Sequence, residues 1–152
     1  MPGTVGVGDT VNGTVGSILG RKGREVWCVA PDATVYDAIW LMAAKNVGAL
    51  LVISDGSLLG IVSEVDYARR VILQGRSSKK TPVKDIMTSN PVTVAPEDTV
   101  DDCMRIMTHH HIRHLPVFEG LELVGIVSIE DLVKSVIDDQ SDTIDELQRT
   151  WE

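Results

Sequence analysis

The chain has 152 residues, 43% of them hydrophobic but only 4% aromatic, and carries a formal charge of −8. That length suits one domain or two small, closely packed ones, with a core of Val, Ile, Leu, Ala and Met. The negative charge argues against a surface that grips nucleic acid or acidic lipid throughout, because such binding needs Lys and Arg to neutralise phosphates. Cys28 and Cys103 lie far apart with no partner motif and no secretory signal ahead of them, so reduced thiols and a cytoplasmic protein are expected. No apolar run approaches the roughly 20 residues that span a membrane.

The glycine-rich start, GTVGVGDTVNGTVG, matches neither the dinucleotide G-x-G-x-x-G spacing nor the phosphate-loop G-x-x-x-x-G-K-[ST] spacing, and residues 1–13 read as a flexible arm. After it the chain repeats itself. Val29–Ile72 lies on Val94–Ile137 without a gap and matches VAP, TV, Asp37, Met42, Leu50, Val52, Leu58, GIVS and Asp66. Upstream, Val15 and Ile18 answer Val83 and Ile86, with three more residues in the first copy around the charged GRKGREV. The expected divisions are a first repeat with a basic linker over 14–80, a second over 81–138, and an acidic tail over 139–152.

Within each copy the order of elements is strand, helix, strand, strand, helix. Thr34 with Asp37, and Thr99 with Asp102, have capping-box spacing and predict a helix start. Val35, Ala38, Ile39, Met42 and Ala43 then recur at helical spacing, as do Val100, Cys103, Met104 and Met107. Two short apolar runs follow in each copy, split by Asp55 and Gly56 or lying around Glu119 and Gly120, and read as hairpins. The segments after Ser63 and Ser128 return to helix. A unit of this size cannot cover a three-stranded sheet alone. The predicted fold is therefore α/β (α+β): two pseudo-symmetric repeats, each a small three-stranded sheet with two helices, packed sheet to sheet with an equivalent groove on either side. The apolar stripes of the helices over 35–47 and 100–107 further predict a homodimer.

The second apolar run ends in GIVSEVD in one copy and GIVSIED in the other. Ser63 with Asp66, and Ser128 with Asp131, have the spacing of another pair of capping boxes. The same geometry offers a ligand site: the glycines leave backbone room, a helix start presents N–H groups and partial positive charge, and a carboxylate one turn in can accept two hydrogen bonds from a ribose diol. The two readings are compatible.

The repeat, with TVAPEDTVDDCMRIM, HIRHLPV and GIVSIED, resembles a pair of cystathionine-β-synthase (CBS) domains over roughly residues 14–138. The resemblance implies a module that binds adenosine-containing ligands such as AMP, ADP, ATP or NAD. It assigns Ser63 and Asp66 to one groove and Ser128 and Asp131 to the other, as ribose and phosphate contacts. It also implies that adenine lies against Ile18 and Val29 in the first copy and against Ile86 and Val94 in the second. GRSSKKTPVKDIM, VGALLV and DYARRVI resemble the stand-alone members of the family, which carry no attached enzyme; Val65 stands where many relatives have Arg.

Other charged stretches supply further candidates. Arg69, Arg70, Arg76, Lys79, Lys80 and Lys84 form a run without an acidic residue, which is either a solvated linker or a phosphate loop in which Gly75, Arg76, Ser77 and Ser78 wrap the anion. Arg113 and His114 are placed to reach a phosphate at the second groove. His110 and His114 could bind zinc only on one continuous helix face, which the following strand should break. No nucleophile and base can be joined by spacing, and the family resemblance implies a regulatory sensor without catalysis, responding to occupancy by changing shape, with an unknown protein target. An NAD- or nucleotide-using enzyme and a nucleic-acid module acting through the linker are the alternatives.

Overall fold

Residues 13–139 are described by a computed structural model; the arm over 1–12 and the tail from 140 lie outside the described residues. Local capping sets the helices. The Thr99 hydroxyl accepts from the Asp102 N–H at 3.0 Å and the Asp102 carboxylate accepts from the Thr99 N–H at 3.3 Å. Hydrogen bonding to the carboxylate from the Thr99 side chain first, and from its backbone N–H second, holds the Asp102 carboxyl below its ordinary range. Thr34 makes the hydroxyl half of the same box, accepting from the Asp37 N–H at 3.1 Å. Helices Val35–Lys45 (α2) and Val100–His110 (α4) follow, ended by Asn46 and His111 in the left-handed conformation at φ 55° and 56°. A helix that sequence reading passed over, Val15–Lys22 (α1), starts on a box between Thr14 and Ser17.

The hairpins form as expected. Ala49–Ser54 (β2) pairs antiparallel with Ser57–Ser63 (β3), and Asp55 and Gly56 both take positive φ, the requirement of a tight turn matched to strand twist. His114–Glu119 (β5) pairs with Glu122–Ser128 (β6) about Gly120, and each hairpin shifts register at the same place, Val52/Ile53 and Val117/Phe118. Cys28–Val29 (β1) runs parallel to β2, and Thr88–Ser89 (β4) adds a fourth strand beside β3. In the second copy the strand before α4 shrinks to one parallel bridge, Val94 to Val117. Glu64–Tyr67 (α3) leaves β3 and opens into a π-helical turn at Ala68–Ile72, whereas residues 129–139 (α5) leave β6 as regular helix.

Two compact units result, and each draws on both copies of the repeat. One contains residues 26–91 and the other residues 13–25 together with 92–139. Hydrogen bonds give the reason. Val15 N–H donates to Asp98 O (2.9 Å), Gly16 N–H to Pro96 O (2.8 Å) and Val100 N–H to Gly13 O (2.8 Å). The same pattern recurs at Val83 to Ala33 (2.8 Å), Lys84 to Pro31 (3.0 Å) and Val35 to Thr81 (2.9 Å). Each lead-in segment therefore closes on the helix start of the other copy. The core of the 26–91 unit holds Val35, Ala38, Met42, Leu50, Val62, Val83 and Ile86; the second unit's holds Val15, Ile18, Leu19, Cys103, Met107, Leu115 and Leu132.

These clusters also correct the basis for the dimer expectation. Val35, Ala38 and Met42, like Val100, Cys103 and Met107, point into their own unit's core, while Tyr36 and Trp40 are the large exposed apolar residues of α2. Both cysteines are free. Burial pushes the Cys103 thiol up to about 12, as expected of a side chain that serves as a small hydrophobe.

The glycine of each GIVS has a packing duty. A Cβ on Gly60 would lie 2.5 Å from Thr88 O and 2.8 Å from Met87 Sδ, and one on Gly125 would lie 2.8 Å from a Leu19 methyl. Gly60→Ala is expected to destabilise by about 1–3 kcal/mol through overpacking against backbone. Gly20→Ala, in α1 with nothing within 4 Å, should be neutral or stabilising by up to about 1 kcal/mol. Urea unfolding measures both, and equal effects would contradict the assignment.

Candidate functional site

Each unit brings its Ser–Asp pair to the mouth of a helix. At the start of α3, Ser63 N–H donates to Asp66 Oδ2 (2.9 Å), the Ser63 hydroxyl donates to the same oxygen (3.1 Å), and Asp66 N–H donates back to Ser63 Oγ (3.3 Å). At the start of α5, Ser128 N–H donates to Asp131 Oδ2 (2.8 Å) and Asp131 N–H donates to Ser128 Oγ (3.2 Å). Both are complete capping boxes. In each the bonds converge on Oδ2, and among the described residues no hydrogen bond is made to Oδ1 of either aspartate.

The second box carries an added cation that sequence reading missed. Lys22 Nζ lies 2.6 Å from Asp131 Oδ2 and 3.0 Å from Ile126 O. Lys22 stands four residues after Ile18 in α1, so the capping box that starts this helix was the signal that could have placed it. His114, first residue of β5, is half-buried beside this pair; burial lowers its pKa, with the Glu130 and Asp131 carboxylates opposing and Lys22 and Arg113 reinforcing. Exposed Arg113 borders a shallow groove of about 390 Å³ with Ile129, Glu130, Val133, Lys134 and Ile137.

The apolar candidates are regrouped by the exchange of lead-in segments. Ile18 was expected with Val29, and Ile86 with Val94. Instead Ile18 and Val94 share the core of the unit that holds Asp131, and Ile86 and Val29 pack in the unit that holds Asp66. Arginine ties lead-in to final helix in both, from opposite sides: Arg70 Nη1 donates to Ile86 O at 3.0 Å, and Arg21 Nη2 to Ser135 Oγ at 3.5 Å.

The basic linker is largely engaged. Arg76 pairs with Asp85 at 3.2 Å, Lys84 with Asp32 at 2.8 Å, and Lys79 lies over the Tyr36 ring. The N–H groups of Gly75 and Arg76 donate to Ile72 O and Val71 O, while the carbonyls of Ser77 and Ser78 accept from the Thr81 hydroxyl and the Tyr36 N–H. The loop thus uses on itself two of the N–H groups that a phosphate cradle would need. His111 ends α4 in the left-handed conformation, so His110 and His114 share no helix face; no group of three or more metal-binding side chains occurs among the described residues. No described helix is long and apolar enough to cross a membrane.

Comparison with known proteins identifies relatives along most of the chain. A family model described as CBS domain matches residues 15–72 and 83–138. The mitochondrial CBS domain-containing protein CBSX3 of Arabidopsis thaliana is 43% identical over 146 residues, covering 90% of this chain and 69% of that protein. A solved structure with CBS domains from Burkholderia ambifaria MC40-6 is 53% identical with a TM-score of 0.82, covering 84% of this chain and 96% of that one. The CBS domain pair of protein MJ0100, solved with 5′-methylthioadenosine and S-adenosyl-L-methionine, is 25% identical with a TM-score of 0.71, covering 81% and 94%.

A pH dependence follows from His114. Its folded-state pKa lies below the ordinary histidine value of 6.5, so between the two the unfolded chain binds more protons. Stability should be unaffected by this group above that value and fall as pH drops through the window below it. His114→Gln should remove that part of the acid slope in urea titrations, and an unchanged slope would contradict it.

Proposed function

The chain belongs to the CBS-domain family and carries the regulatory CBS pair; on that premise we propose that it senses adenosine-containing nucleotides, AMP first among AMP, ADP, ATP and NAD, and reports occupancy by a change of conformation. The carrying observation is the division of labour on each aspartate. The helix cap engages Oδ2, and Oδ1 remains for a ribose hydroxyl, so a ligand can bind without dismantling the cap. Ser63 and Ser128 hold the carboxylates in place and border the ribose. The MJ0100 ligands both contain adenosine, which supports the same class here. Arg113 and His114 serve the phosphate end at the Asp131 box. The reading requires binding only; turnover of ATP or NAD by purified protein would replace it.

Calorimetry tests it. Asp131→Ala should weaken AMP binding at that site by roughly ten- to a hundredfold, the about 1.5–3 kcal/mol of charged hydrogen bonds. Unchanged affinity with lowered stability would leave the cap as the residue's sole role. Exposed Tyr36 and Trp40 also support self-association of the pair. Light scattering at tens of micromolar protein should report a dimer that Trp40→Glu dissociates, and a monomeric native protein would refute this.

A further inference from the structure

The two Ser–Asp boxes sit in units of like architecture but in unlike charge surroundings. Leu19 packs where Gly125 lacks a side chain, and Met87 packs where Gly60 does, which fixes the register of the two lead-in segments against each other. In that register Lys22 stands where the other unit has Asn90, and in the repeat alignment Arg113 and His114 stand where the other has Gly48 and Ala49. Lys22 bonds Asp131 at 2.6 Å with a third of its side chain exposed. Among the described residues the Asp66 carboxylate accepts only from Ser63, and no cation lies within ion-pair distance of it.

Such a difference acts on ligand charge. A phosphate brought towards Asp66 meets a carboxylate to which no cation is paired, Arg70 being held at the Ile86 carbonyl, whereas one brought towards Asp131 meets an ammonium on a flexible four-carbon stem. Lys22 can leave Asp131 without orphaning it, because Ser128 N–H still donates to Oδ2 at 2.8 Å. Resting on the adenosine reading above, we propose that Lys22 makes the Asp131 box selective for phosphate-bearing adenosine ligands by moving its ammonium from the carboxylate to the phosphate, while the Asp66 box accepts the adenosine group with little regard to phosphate. Lys22 is thus a specificity residue, and the two sites of the pair have different ligands.

Titration of AMP and of adenosine into site-isolated proteins tests this. In Asp66→Ala, which leaves the Asp131 box, AMP should bind at least about tenfold tighter than adenosine; Lys22→Gln added to it should lower that ratio by about threefold or more, Arg113 and His114 keeping the remainder, and Lys22→Arg should keep it whole. In Asp131→Ala the ratio should be about threefold or less and insensitive to Lys22→Gln. A general loss of structure would weaken both ligands together and leave the ratio in place, so the ratio reports the ammonium. If Lys22→Gln leaves the ratio at the Asp131 box unchanged, or the Asp66 box prefers AMP as strongly, the Lys22 inference is overturned while the adenosine reading stands. If the native protein binds neither compound, the adenosine reading itself fails and takes this one with it.

Discussion

The approach of a lead-in segment onto the GIVS strand is the contact on which the rest of the structure depends. Gly125 admits the Leu19 side chain, and Gly60 admits the Met87 side chain and the Thr88 carbonyl, at distances no Cβ would allow. Because that approach is close, α1 can lay Ile18 and Leu19 into the core, and Lys22, one turn further, arrives at the head of α5. In the other unit the same approach turns residues 88 and 89 into a strand beside β3 and sends Arg70 to the Ile86 carbonyl. The glycine, serine and aspartate of the repeated motif are one device: the first lets the lead-in segment close, and the other two cap the helix beside it.

Much of this was legible in the sequence because the signals were local. Capping boxes need only residues three apart, so Thr99 with Asp102 and Ser128 with Asp131 could be read directly. Turn chemistry at Asp55 and Gly56 placed a hairpin for the same reason. What was not legible was long-range. Alignment of the copies assigns residues 14–25 to the first repeat, but nothing within either copy says that Val15 will donate to Asp98 instead of Ala33. That exchange regrouped Ile18 with Val94 and Ile86 with Val29. The linker shows the converse: a run of six cations reads as either a solvated linker or an anion site in one dimension, while in three Asp32 and Asp85 meet two of them.

Duplication and divergence divide between packing and charge. The apolar positions and caps are nearly the same in both copies, since each unit must bury the same stripe and start the same helices. The charged positions around the boxes differ, as at Lys22 against Asn90 and Glu130 against Val65. A repeat that keeps its scaffold while varying the charges beside a shared carboxylate is suited to telling apart ligands that have one group in common.

The central claim is that one carboxylate both caps a helix and holds a ribose. A crystal structure of the protein grown with AMP tests it most directly. The account predicts ribose hydroxyls within hydrogen-bond distance of Oδ1 of Asp131, with the Ser128 N–H still on Oδ2. Clear density for AMP away from both aspartates, or a carboxylate pulled off its serine by the ligand, would contradict it.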